Sequence, residues 1–64
     1  MNKPKCSLIG KDGNIFNLME IVSRTLKENN LYNEANEMYQ RVTGGEAQSY
    51  DEALRIIMEY VEVY

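Results

Sequence analysis

The spacing of the apolar residues changes at Asn14, and this change divides the chain into an extended arm and a helical body. Before it, the residues from Lys5 to Ile9 form a short β-compatible run, and two glycines and an Asp-Gly step then favour a tight turn. After it, apolar residues recur every three or four positions, as on one face of a helix: Ile15, Leu18, Met19, Val22 and Leu26. The pattern predicts an arm and turn over residues 1–13 and a first helix over residues 14–29, with Asn14 as its N-cap.

The next apolar stripe is shorter and predicts a second helix over residues 33–43. Asn33 is suited to cap its start, and Gly44 and Gly45 end it. Four residues share the spacing of one buried face: Ala35, Met38, Tyr39 and Val42.

Ser49 and Glu52 have the spacing of a capping box, which predicts the start of a third helix over residues 49–62. Its apolar face contains Ala53, Leu54, Ile57, Tyr60, Val61 and Tyr64. Residues spaced four apart also predict two surface ion pairs, Glu37 with Arg41 and Asp51 with Arg55.

These elements predict a mainly α fold, a compact three-helix domain with a short N-terminal extended segment. The chain forms one domain over residues 1–64, in which the three helices occupy residues 14–64. A chain of 64 residues is too short for a second core. We expect the core to consist of Ile15, Leu18, Met19, Val22, Leu26, Met38, Val42, Ala53, Leu54, Ile57 and Val61.

The backbone of the arm needs hydrogen-bond partners, which the local sequence does not supply. The residues from Lys5 to Ile9 can bond to water, form a hairpin with residues 14–16, or pair with a second copy of the chain. The hairpin is disfavoured because residues 15 and 16 belong to the helical pattern. We expect a monomer with an ordered but mostly unpaired arm, whose apolar residues lie over Phe16 and Ile21. A strand-mediated homodimer is the alternative.

Charge and composition narrow the function classes. Seven basic and ten acidic residues give a net charge of −3, which disfavours unspecific binding to nucleic acid. Residues 1–27 have a net charge of +3 and residues 28–64 a net charge of −6. No apolar run is long enough to span a membrane, and the first ten residues lack the apolar region of a signal peptide. The lone Cys6 suits a reducing compartment, so we expect a mature cytoplasmic protein.

No motif in the sequence predicts catalysis, a cofactor or a metal site. The chain has no histidine, and one cysteine cannot make a Cys-rich zinc site. Asp12 begins a pattern like a calcium loop, but Phe16 and Asn17 stand where that loop needs an oxygen ligand and a glycine. Gly10 and Gly13 lack the lysine and third glycine of a phosphate loop. We therefore predict a protein that is not an enzyme.

Three segments of the chain carry a resemblance: Leu8 to Phe16 with its D-G-N-x-F motif, the S-Y-D-E-A-L run that begins at Ser49, and Glu59 to Val61. Together they resemble a family of small uncharacterised proteins from phages and conjugative elements of clostridia and related Firmicutes. The resemblance extends from Cys6 to Val63. It implies a mobile genetic element as the source of the chain and implies no particular reaction.

A small interaction or accessory module is the function that these observations favour, with another protein as the partner. Tyrosine and methionine are common at interfaces, and the end of the third helix is rich in both. We expect the partner to contact Ile56, Met58, Glu59, Tyr60, Glu62 and Tyr64. A nucleic-acid-associated or antirestriction factor, acidic and mimicking DNA, is the alternative.

Overall fold

Three helices and a two-stranded parallel sheet make up the fold. The computed structural model describes residues 3–64, so residues 1 and 2 of the predicted arm lie outside the described residues. The elements in chain order are β1 (Lys5–Cys6), α1 (Ile15–Glu28), α2 (Tyr32–Thr43), α3 (Tyr50–Met58) and β2 (Glu62–Val63). The prediction of a mainly α, three-helix domain with an N-terminal extended segment is confirmed. No helix within residues 3–64 is long and apolar enough to cross a membrane.

The start and end of α1 follow from local side-chain chemistry. Asn14 Oδ1 accepts a hydrogen bond from the Phe16 amide at 2.9 Å, so the predicted N-cap is confirmed. After the helix, Asn30 adopts a left-handed conformation with φ of 63°. Asparagine tolerates this conformation better than most residues, and it turns the chain towards α2.

The second helix begins earlier than the predicted cap. The Ala35 amide donates to the Leu31 carbonyl at 3.0 Å, so Leu31 occupies the N-cap position without a side-chain bond. Asn33 therefore lies inside the first turn, and its prediction as the cap is wrong. The helix ends at Gly44, whose amide donates to the Gln40 carbonyl at 2.7 Å. A Cβ atom at Gly44 would lie 2.5 Å from that oxygen, so this close approach requires glycine.

The third helix has the predicted cap but a different end. Ser49 Oγ accepts from the Glu52 amide at 3.2 Å, and Glu52 Oε1 accepts from the Gln48 amide at 3.0 Å. The helix stops at Met58, so the predicted end at residue 62 is wrong. The residues from Val61 to Tyr64 alternate between β-branched and polar or aromatic types, and this segment pairs with β1 instead of continuing the helix.

The arm is paired, because β1 and β2 run parallel with Lys5 opposite Glu62. The Glu62 amide donates to the Pro4 carbonyl at 2.8 Å, and the Tyr64 amide donates to the Cys6 carbonyl at 3.1 Å. The prediction of a mostly unpaired arm is wrong. Glu62 and Tyr64 of the same chain supply the hydrogen-bond partners of the arm. That edge of β1 therefore needs neither water nor a second copy.

The core lies between the helices and the inner face of the sheet. Eight of the predicted core residues are buried: Leu18, Met19, Val22, Leu26, Met38, Ala53, Ile57 and Val61. Three others are half-buried: Ile15, Val42 and Leu54. Ala35, on the predicted buried face of the second helix, is buried as well, and the structure adds three further buried residues: Cys6, Leu8 and Ile56.

Two aromatic side chains are exposed although the sequence predicts that they are covered. Phe16 is 63% exposed, so the arm does not cover it. Tyr39 is also exposed, at the margin of the α2 stripe, where it lines a groove against α1. The arm packs farther along α1 instead, with Cys6 Sγ 3.5 Å from Thr25 Oγ1.

Candidate interaction surface

The six residues predicted to contact a partner do not form one surface. Ile56 is only 5% exposed and belongs to the core, so it is not available to a partner. Its helical position at the margin of the apolar face becomes buried because α3 packs against both α1 and α2. The other five residues separate into a polar cluster, an apolar groove and the outer face of the sheet.

Glu59 and Tyr60 belong to the polar cluster, which is centred on Arg41. The guanidinium donates to both carboxylate oxygens of Glu59, from Nη1 at 2.8 Å and from Nη2 at 3.1 Å. It also donates to Glu46, most closely from Nη2 at 2.6 Å. Such paired contacts between arginine and carboxylate are the strong form of the interaction. They join α2 to the loop after it and to the residue that follows α3.

Tyr60 completes this cluster. Its hydroxyl donates to Glu37 Oε1 at 2.6 Å and accepts from Arg41 Nη1 at 3.2 Å. Arg41 Cζ also lies 5.8 Å from the centre of the Tyr60 ring, within the range of a cation–π contact. Glu37 therefore reaches Arg41 through Tyr60, and the predicted direct Glu37–Arg41 ion pair does not form.

The other ion pairs also differ from the local prediction. Among residues 3–64, Arg55 makes no ion pair with Asp51, whereas Arg24 pairs with Glu20 at 3.6 Å on the exposed face of α1. A pair between two exposed side chains of one helix contributes little to stability.

The cluster shifts the titration of its members. Hydrogen bonds from Arg41 hold the pKa of Glu46 and of Glu59 below the usual glutamate range. The same bonds raise the pKa of Arg41, which stays charged. Burial raises the pKa of Tyr60, and its bond to the Glu37 carboxylate adds to that effect. Since Glu59 and Tyr60 are engaged within the chain, their main contribution is to hold α2 against the segment after α3.

Met58 lies at the apolar groove, which the arm and α3 form together. The groove is lined by Leu8, Ile9, Leu18, Leu54, Met58 and Val63, with Tyr50, Gly13 and Lys11 at its border. Ile9 is 76% exposed and Met58 is 53% exposed, so both present apolar surface to solvent. Lys11 is the one charged side chain in the lining.

The groove has a defined end at Tyr50. The Tyr50 hydroxyl donates to the Gly13 carbonyl at 2.5 Å, which ties the start of α3 to the turn before α1. The opposite wall is held by the amides of Leu8 and Ile9, which both donate to the Tyr64 carbonyl at 2.8 and 2.9 Å. A side-chain bond at one end and backbone bonds at the other hold the groove in the folded chain.

Glu62 and Tyr64 lie at a second hollow, on the outer face of the sheet. Lys5 and Val63 complete its lining. Val63 therefore lines both hollows. Along a strand, backbone groups alternate in direction, so the Val63 amide and carbonyl point to this outer edge.

A third hollow lies between α1 and α2 and carries charges of both signs. Arg24 and Lys27 line it together with Glu20 and Glu28. This mixture does not make a basic patch, although two tyrosines, Tyr32 and Tyr39, are present.

Sequence reasoning missed the residues of the groove that come from the arm and β2: Leu8, Ile9, Lys11 and Val63. The available signal was the V-E-V-Y alternation at the end of the chain, which is typical of a strand. Recognising it would have ended α3 earlier and supplied a partner for β1.

The described residues contain no group of three or more cysteine and carboxylate side chains placed to hold a metal ion. Cys6 is buried and packs as a core side chain.

Comparisons of the chain with protein-family models, with curated proteins and with solved structures find no match.

Proposed function

We propose that this protein is a non-enzymatic protein-binding module, and that the apolar groove between the arm and α3 is its contact surface. The observation that carries the proposal is the exposure of Ile9 and Met58 on either side of a groove lined by aliphatic side chains. Exposed aliphatic and methionine side chains gathered at one concave site are typical of protein-interaction surfaces.

A protein fits this surface better than nucleic acid does. Lys11 is the single cation in the groove, and the exposed side of α3 carries Asp51 and Glu52. Carboxylates on the exposed side of a helix repel phosphate. Direct binding to nucleic acid therefore receives less support than protein binding.

The proposed setting is the cytoplasm of a cell that carries a mobile genetic element, with the protein as an accessory factor of that element. The resemblance of the Leu8 to Phe16 segment and of the S-Y-D-E-A-L run supports this setting. A free cysteine that packs in the core is compatible with a reducing compartment.

The test compares capture by the folded protein and by two charge-introducing variants. Met58→Glu places a carboxylate in the groove, whereas Phe16→Glu changes an equally exposed apolar residue on α1 that does not line it. Each protein is immobilised and exposed to a host-cell lysate, and bound proteins are identified by mass spectrometry. We expect one or more partners to bind the wild type and Phe16→Glu but not Met58→Glu. Equal capture by all three proteins would contradict the proposal.

A further inference from the structure

We propose that the groove receives an extended peptide segment that adds to the outer edge of β2 as a third strand, with alternating apolar residues and one carboxylate that reaches Lys11. This inference rests on the proposed protein-binding function and names the kind of segment that is bound.

The backbone of β2 has one edge paired within the chain and one edge that faces away from β1. The amides of Glu62 and Tyr64 donate to Pro4 and Cys6 of the arm, so one edge of β2 is used within the chain. The amide and carbonyl of Val63 point to the other edge, and Val63 itself lines both hollows. An extended peptide beside this edge would exchange backbone hydrogen bonds with Val63, as in the strand addition seen in many peptide-binding domains.

The two hollows can receive the side chains of an added strand. Side chains of a strand point alternately to the two faces of a sheet. A strand beside Val63 would therefore place every second side chain in the groove, against Leu54 and Met58. The side chains between them would lie over the second hollow, beside Lys5 and Tyr64. The groove selects apolar residues, and the mixed lining of the outer hollow tolerates polar ones.

The groove carries one positive charge, which favours an acidic residue in the bound segment. Lys11 lines the groove, and no carboxylate among residues 3–64 forms an ion pair with it. A bound acidic residue would balance this charge, whereas a bound basic residue would be repelled. We therefore expect an acidic residue beside the apolar ones in the bound segment.

The open edge of β2 distinguishes this occupant from others of similar polarity. A fatty acid has an apolar chain and one carboxylate, but it offers no backbone groups to Val63. A helix has already used its own backbone groups, so it gains nothing from the edge. An extended peptide uses the groove, the cation and the edge together.

The experiment begins with selection of a random peptide library on the immobilised wild-type protein. We expect the selected peptides to share apolar residues at alternate positions and at least one Asp or Glu. A selected peptide is then synthesised with a fluorescent label and measured by anisotropy. Lys11→Glu should weaken its binding at least about fivefold, in keeping with loss and reversal of one partly exposed charge contact. Lys27→Glu, a matched change on exposed α1, should leave the affinity unchanged.

The strand register is tested without changing the protein. A series of peptides carries a single N-methyl group at successive positions. Methylation at positions whose amides face Val63 should weaken binding at least about tenfold, because it removes a hydrogen bond and adds bulk at the edge. Methylation at the intervening positions should have little effect. Affinities that do not alternate would overturn the proposal.

Four other results would also overturn strand addition: no selected peptide, peptides with apolar residues spaced three and four apart, preferred binding of dodecanoate in place of peptide, or unchanged affinity in Lys11→Glu. A dimer, detected by light scattering, that the peptide does not dissociate would overturn it as well, since the edge would then be occupied by a second copy.

If a lysate partner still depends on Met58 in any of these cases, the protein-binding function stands and only the strand mode fails. If no partner depends on Met58 but the peptides alternate and respond to Lys11→Glu, the strand mode stands alone.

Discussion

At the scale of single residues, Arg41 joins three parts of the chain through one guanidinium. It binds Glu46 in the loop after α2 and Glu59 after α3, and it contacts Tyr60. The pKa of both carboxyls is lower in the folded chain than in the unfolded chain, because the bonds from Arg41 exist only after folding. Their contribution to stability is therefore present above the ordinary glutamate pKa of about 4.3 and is lost as the pH falls through the lowered values.

We predict that Arg41→Met lowers the melting temperature at neutral pH and reduces the further loss in acid. The measurement is thermal unfolding by circular dichroism between neutral pH and acid, for the variant and the wild type. Arg55→Met is the control, since Arg55 is exposed and makes no ion pair within the described residues. Parallel pH profiles for wild type and Arg41→Met would contradict this prediction.

Ile57 and Met58 are adjacent in α3 but have opposite surroundings. Ile57 is fully buried, whereas Met58 is 53% exposed. We predict that Ile57→Ala costs about 2–5 kcal/mol of unfolding free energy, because it leaves a cavity in the core. Met58→Ala should change it by less than about 0.5 kcal/mol, as at other exposed sites. Denaturant titration measures both, and a similar cost for the two variants would contradict the burial that separates them.

At the scale of elements, the parallel pair of β1 and β2 replaces the predicted last turn of α3. Amides of Glu62 and Tyr64 are bonded to the arm, whereas the Val63 amide faces the outer edge. We predict that hydrogen exchange measured by NMR is slow for Glu62 and Tyr64 and fast for Val63. A helix that continued through these residues would protect all three amides to a similar degree, so uniform protection would contradict the strand. Binding of a selected peptide should then slow the exchange of Val63.

At the scale of the whole molecule, the charge is arranged so that the positive arm lies against the negative end of the chain. Lys5 is opposite Glu62 in the sheet, and Lys3 Nζ donates to the Met58 carbonyl at 2.9 Å. The net charge of −3 disfavours attraction to the phosphates of DNA. We predict that duplex DNA does not bind at moderate salt, as measured by anisotropy of a labelled duplex across a salt series. An affinity that falls steeply with rising salt would favour the nucleic-acid alternative.

The sequence by itself determined those features that depend on neighbouring residues. The cap at Asn14 and the capping box at Ser49 each require groups only a few residues apart, and the three-residue spacing of Met19 and Val22 places them on one helix face. These features were predicted because their energies are local. The fold class followed from them.

Only the tertiary structure decided the features that join distant parts of the chain. β1 pairs with β2 from opposite ends of the sequence, and the groove beside Val63 exists only because of that pairing. Arg41 likewise bypasses Glu37, its neighbour along the helix, for Glu59 after α3. Either strand alone leaves its backbone unpaired, and the choice of partner depends on which segments the packed helices bring together.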